Sequence, residues 1–139
     1  MPGNDCVFCR IIAGEIPCAK VYETDKALAY LDLNPMRPGH TLIVPKAHYQ
    51  NILDIPAQAV PDIISVIQLI WPAVQKVTKS EGFNVLQNNF PAAGQTVFHV
   101  HWHLVPRHMD DGIRQWDQGR YKSILEMQDL AGNIRSRIK

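Results

Sequence analysis

The chain has no surplus of charge of either sign, no internal repeat, no low-complexity tract and no uninterrupted apolar run approaching the ~20 residues that span a bilayer. Each absence removes a class of function. With 14 basic and 13 acidic residues interspersed along 139 positions, the formal net charge is +1, and no electropositive face for nucleic acid is visible. The expected partner is a small molecule. Met1-Pro2-Gly3-Asn4-Asp5 lacks the basic and apolar regions of a signal peptide. A cytoplasmic protein without membrane contact is therefore expected. Cysteine is scarce: the 3 present are an odd number, which argues against a disulfide framework. Nothing divides the chain in composition either, and 46% hydrophobic with 19% charged residues supplies a core for one domain over residues 1–139.

What is present reads as an α+β domain. A short helix through Arg10 and Ile12 can end at Gly14, followed by strands at Lys20 to Tyr22, Ala27 to Asp32 and His40 to Val44. From Pro61 to Lys79, Ile63, Ile67, Ile70, Val74 and Val77 recur at helical spacing, with Pro72 expected to kink the helix. Phe83 to Gln87 makes a fourth strand and Thr96 to Val105 a fifth that Pro106 ends. Ile124, Met127, Ala131, Ile134 and Ile138 suggest a C-terminal helix, weakened by Gly132. The sum is an antiparallel sheet of about five strands, one principal helix packed on it, and short helices at both ends.

The chemistry concentrates in Phe98-His99-Val100-His101-Trp102-His103-Leu104-Val105, where imidazoles alternate with large apolar residues. On a strand His99, His101 and His103 would share one face at intervals of ~6.6 Å. Imidazole serves equally as metal ligand and as nucleophile or acid–base group near neutral pH, so a metal hydrolase using the histidines as ligands competes with nucleophilic catalysis. The neighbouring Asn88, Gly94, Gln95 and Thr96 favour phosphorus chemistry, because amide, hydroxyl and backbone donors suit a developing phosphoryl charge.

These residues resemble the histidine triad family, whose signature His-φ-His-φ-His-φ-φ is matched from His99 to Val105. Cys6-Val-Phe-Cys, Leu28-Ala-Tyr-Leu-Asp-Leu-Asn-Pro, Arg37-Pro-Gly-His and Gly94-Gln-Thr-Val look like family segments in family order. The branch it looks closest to hydrolyses nucleoside phosphoramidates and dinucleoside polyphosphates. The resemblance implies that His101 attacks the α-phosphorus of a purine nucleotide and forms a nucleotidyl-histidine. It further implies that His103 with Gln95 and Thr96 binds phosphate oxygens and leaving group, with Asn88 helping to position that turn. His40 would support the triad, Asp32 would take the ribose hydroxyls, and Phe8, Ile11, Tyr30 and Leu33 would form the base slot. A homodimer is also implied. A nucleotide-binding module with incidental hydrolysis is the alternative from outside enzymology. After Pro106-Arg107 the chain departs from the phosphoramidase pattern and continues to Lys139, which leaves the substrate open.

The pair Cys6-x-x-Cys9 fits either a redox motif or a metal knuckle, and without a preceding strand it favours the metal. His48, after Pro45-Lys46-Ala47, is the natural third ligand of a tetrahedral zinc. The resemblance supplies His99 as the fourth, which closes the site and makes the zinc structural. Cys18 is an ordinary thiol.

Overall fold

A computed structural model describes residues 5–114 and 116–139. Its elements in chain order are α1 (Val7–Ile12), β1 (Lys20–Glu23), β2 (Ala27–Leu31), β3 (Thr41–Pro45), α2 (Val60–Thr78), β4 (Gly82–Leu86), β5 (Trp102–Arg107) and α3 (Ile124–Arg135), with single 3-10 turns at Ala57–Ala59 and Pro91–Ala93. The five strands form one antiparallel sheet in the order β1-β2-β3-β5-β4. The expected α+β architecture is present, including its principal helix and both terminal helices.

Burial on both faces explains why the middle strands are apolar throughout rather than alternating. Ala27, Ala29, Ile43, Trp102 and Leu104 pack under α2 with Ile63, Val66, Ile67, Ile70 and Val74. Leu28, Tyr30, Leu42 and Val44 face the other way, against Cys6 and Phe8 of the N-terminal segment. α2 starts with Pro61 in its first turn, continues through Pro72, and stops at Lys79, which turns left-handed at φ 56° and donates its N–H to Gln75. The stretch Ala57–Thr78 has the length and mean hydropathy, 1.4, of a membrane span, although it contains no uninterrupted apolar run of that length. Gln58, Asp62, Ser65, Gln68 and Gln75 break the run; they are exposed while the isoleucine stripe is buried against the sheet, the pattern of a core helix.

The fifth strand starts later than its sequence pattern and ends later too, running through Pro106 to Arg107 instead of stopping at the proline. Hydrogen-bonded pairing begins at Trp102, so Thr96 to His101 lie outside it. On the β3 side the ladder stops at Ile43, opposite Trp102, although β3 itself runs on to Pro45 beside β2 before the chain leads to Tyr49. Val100 then donates its N–H to the Tyr49 carbonyl at 2.7 Å instead of to a strand. The facing survives without the ladder: Val100, Trp102 and Leu104 stay on the α2 side, and His103, opposite Leu42, lies on the side of α1.

Gly39 sets the turn into β3 and thereby the position of His40. Its φ is +94°, and a Cβ there would meet Thr78 Cγ2 at 2.7 Å and Pro106 Cγ at 3.1 Å. Backbone strain and overpacking combine, so Gly39→Ala should cost about 2–4 kcal/mol, seen as a lower urea midpoint at unchanged slope. A loss below about 1 kcal/mol would show that the turn relaxes freely.

Candidate functional site

Burial and backbone hydrogen bonds decide which nitrogen of each histidine carries its proton. His99, wholly buried, donates Nε2–H to the Pro45 carbonyl at 2.8 Å, which leaves the lone pair on Nδ1. His101 donates the other way: Nδ1–H bonds to the His99 carbonyl at 2.7 Å, and Nε2 is left with a bare lone pair. A third backbone group fixes His40, whose Nδ1 accepts Met36 N–H at 3.0 Å. That ring must hold its hydrogen on Nε2, which it gives to His103 Nδ1 at 2.9 Å. His103 in turn keeps its hydrogen on Nε2. The cluster therefore presents one nucleophilic nitrogen and, beside it, one N–H donor, with the His101 and His103 rings 5.0 Å apart.

Desolvation holds these rings neutral. Burial pushes His99 and His103 down to about 4, with the His101 and His40 charges adding in the same direction at His103. It lowers His40 and His101 as well. Asp32 opposes the shift only partly: its Oδ2 lies 3.6 Å from His40 Nε2, and its Oδ1 already accepts Asn34 N–H at 2.9 Å.

The Nδ1 lone pair of His99 points into a second cluster. It lies 3.4 Å from Cys6 Sγ, 3.6 Å from Cys9 Sγ and 3.2 Å from His48 Nδ1, while Cys9 Sγ is 3.4 Å from His48 Nδ1. Tetrahedral zinc, with Zn–S of ~2.3 Å and Zn–N of ~2.0–2.1 Å, requires S···N edges of ~3.5 Å and an N···N edge of ~3.3 Å. The four residues fit, and could hold a metal ion. Cys6 Sγ also accepts Cys9 N–H at 3.3 Å, capping α1, so the helix start and the ligand pair are one feature. Asp32, His40 and His103 also converge, but His40 Nε2 carries a proton and offers no lone pair. His101 belongs to neither group, so among the described residues the triad does not form one metal centre.

The remaining expected residues divide. Phe8 and Tyr30 are buried, with Phe8 edge-on to His101 at 4.9 Å and to Tyr30 at 6.1 Å, and Ile11 packs on the same cluster. Leu33 stands apart, 94% exposed. Gln95 is buried and fully engaged: Nε2 donates to the Gln50 and Val97 carbonyls, and Oε1 accepts Phe90 N–H. Its side chain braces the turn that carries Thr96. Asn89 likewise ties the turn to Ile52 and Gln87, whereas Asn88 lies with its amide near Gly94. A cavity of about 280 Å³ opens beside Cys6, His48 and Thr96, while a larger groove of about 580 Å³ is lined by α2, the turn from Arg37 to Gly39 and His108, and by none of the triad. Sequence reasoning missed the Pro45 and His99 carbonyls and the Met36 N–H, because every residue carries such groups and only the fold says which ones meet a ring.

Comparison with known proteins agrees with this geometry. The model of the HIT domain family matches residues 13–110. Adenylylsulfatase HINT3 of Arabidopsis thaliana is 51% identical over 104 residues, covering 75% of this chain and 53% of that protein. The chain thus spans about half the length of that relative. Adenosine 5'-monophosphoramidase hnt1 of Schizosaccharomyces pombe is 43% identical over 138 residues, 96% of this chain and 98% of the relative. Among solved structures, a zinc-bound histidine triad family protein from Mycobacterium smegmatis shares 35% identity, covers 96% of this chain and 97% of its own, and superposes with a TM-score of 0.75.

Buried neutral histidines link stability to pH. The ordinary value of 6.5 applies to the unfolded chain, whereas His99 and His103 sit near 4 when folded. Between these values the unfolded chain binds protons that the folded one refuses, so stability falls as pH drops from about 6.5 toward 4. The urea midpoint should be lower at pH 5 than at pH 7.5; an equal or higher midpoint at pH 5 would mean that these rings are protonated in the fold.

Proposed function

The chain belongs to the histidine triad (HIT) family, and on that premise we propose that it hydrolyses nucleoside phosphoramidates or dinucleoside polyphosphates at the α-phosphorus through a covalent nucleotidyl-His101. Hydrolase action on nucleotides is what the relatives' names support. The observation that carries the finer reading is the His101 Nδ1–H bond to the His99 carbonyl, which leaves Nε2 unprotonated and His101 outside both possible metal clusters.

The steps follow from the tautomers. The Nε2 lone pair of His101 attacks phosphorus, a P–N bond forms, and the bond to the leaving group breaks with its electron pair. An anionic leaving group departs as such, and an amine departs from a nitrogen already protonated. The ring becomes cationic as P–N forms, and the carbonyl of His99 then holds a charge-assisted hydrogen bond, stronger in the transition state than in the resting enzyme. His103 Nε2–H donates to a phosphate or leaving-group oxygen. His40 keeps that donor aimed. Water then attacks the phosphorus, the P–N bond breaks, and the water's proton passes to solvent. Asp32 takes the ribose hydroxyls and Phe8, Ile11, Tyr30 and Leu33 flank a purine; Thr96 and Asn88 meet the phosphate, on a turn braced by Gln95.

Zinc on Cys6, Cys9, His48 and His99 would crosslink α1, the β3 exit and the segment leading into β5. With four protein ligands its contribution is structural. The protein is further proposed to be a homodimer, since β4 leaves an open sheet edge with Phe83, Val85 and Leu86 about 40% exposed.

One variant set tests the reading. His101→Ala should eliminate turnover while keeping nucleotide affinity and zinc; His103→Ala should lose ~10²-fold in kcat, the cost of one transition-state donor; His99→Ala should lose zinc and stability. Substantial turnover in His101→Ala, or loss of zinc there as in His99→Ala, would overturn the nucleophilic role.

A further inference from the structure

A buried hydroxyl normally carries a hydrogen bond, because burial strips away the bonds that water supplied. Tyr30 departs from this. The residue is 4% exposed, and its Oη has no hydrogen-bond partner among the described residues. The surroundings explain why. Cys6, Phe8, Leu28, Leu42 and Val44 enclose the ring, with Ile11, Ile12 and Cys18 half-buried against them, and none of these side chains bears a hydroxyl, amide or carboxylate. A water lodged there would find few polar partners of its own. Burial holds the phenol protonated well above its ordinary range, and Cys18, Asp32 and Cys6 act in the same direction. Oη is thus a neutral group able both to donate and to accept.

Phenylalanine would fill the same space without the unmet hydroxyl. A residue that serves the free protein less well than its near-isostere points to a partner that arrives later. Position says which partner. Phe8 stands edge-on to Tyr30 at 6.1 Å and to His101 at 4.9 Å, so a single ring links the hydroxyl's residue to the one that carries the bare nitrogen. Two residues along the chain from Tyr30, the Asp32 carboxylate lies 3.6 Å from His40 Nε2, on the side of the sheet that carries His103. With ribose hydroxyls at Asp32 and phosphorus at His101, the base falls beside Phe8 and Tyr30, and its end farthest from the sugar is the part that can meet Oη.

We propose that Tyr30 Oη reads the base: it hydrogen-bonds the polar group at C6 of a purine, donating to an oxo group or accepting from an amine. Purines substituted at C6 in either way are therefore accepted, and a purine bare at C6 is disfavoured. This rests on the nucleotide reading above and adds a specificity determinant to its base slot. Phe8 and Ile11 offer any purine the same apolar contact, whereas Oη distinguishes what stands at C6. The discrimination has a physical source, since a bare purine leaves the hydroxyl as unmet in the complex as it is in the free protein, while a 6-substituted one satisfies it. The half-buried Ile11, Ile12 and Cys18 are the side chains that give way as the base enters.

Calorimetric binding of the 5'-monophosphates of adenosine, inosine and unsubstituted purine riboside, with kcat/KM for the matching 5'-phosphoramidates, tests this on the full chain and on Tyr30→Phe. The wild type should favour the adenosine and inosine forms at least ~10-fold over the unsubstituted one, and in Tyr30→Phe the three should lie within about 2-fold of one another. Without ligand, Tyr30→Phe should show a urea midpoint equal to or above that of the wild type, because it loses an unmet hydroxyl; a tyrosine already bonded in the free protein would lower it. A wild type indifferent to the C6 group would overturn the proposal whether or not the variant folds. So would discrimination that survives in Tyr30→Phe, or a lower midpoint there. Monophosphates bound with the expected discrimination while the phosphoramidates stay intact would overturn the hydrolase reading and support the base reading; phosphoramidates cleaved without discrimination would do the reverse.

Discussion

The histidine site depends on where each buried ring keeps its single hydrogen. Imidazole in water exchanges tautomers freely, and a triad of such rings would offer metal ligands, donors and nucleophiles at random. Here three backbone groups remove that freedom. The Pro45 carbonyl takes a hydrogen from His99, the His99 carbonyl takes one from His101, and Met36 N–H forces the hydrogen of His40 toward His103. Successive members of the triad consequently face opposite duties although they are chemically identical. Burial reinforces the assignment, since protonation of any of them would place a charge where little water reaches.

That arrangement is possible because the strand pairing stops where it does. A ladder continuing through His99 and His101 would engage their backbone groups with β3 and leave no carbonyl to orient a ring. Pro45 ends β3, the chain swings out to Tyr49, and the carbonyls of Pro45 and His99 are released for imidazoles. The same swing carries His48 beside Cys9, so one local departure from regular sheet serves both the triad and the Cys/His cluster. Phe8, on the short helix capped by Cys6, packs edge-on to both His99 and His101. Cluster and triad are thus coupled through one ring as well as through His99 itself.

Much of this was legible beforehand, for reasons that differ by element. The isoleucine stripe of α2 and the apolar runs of β2 and β3 announced themselves because burial dictates their composition. The His-φ-His-φ-His alternation correctly assigned faces, since side-chain facing persists without a hydrogen-bonded ladder. It overextended the strand for the same reason. Leu33, which the resemblance assigns to the base slot with Tyr30, is 94% exposed because β2 has already ended at Leu31. Gln95 read as a phosphate donor, but its amide is consumed by the carbonyls of its own turn, and no pattern of residue types reveals that. Asn88 and Asn89, indistinguishable in sequence, part once Asn89 is seen bridging Gln87 and Ile52.

The central claim is that His101 Nε2 forms a bond to phosphorus, and the most direct measurement looks for that bond. Rapid acid-free quenching of the enzyme with adenosine 5'-phosphoramidate, followed by proteolysis and mass spectrometry, should find a nucleotidyl group on the peptide containing His101, formed and discharged at rates that match turnover. Active enzyme that never carries the nucleotidyl group, or carries it on His99 or His103, would contradict the assignment of the bare nitrogen to His101.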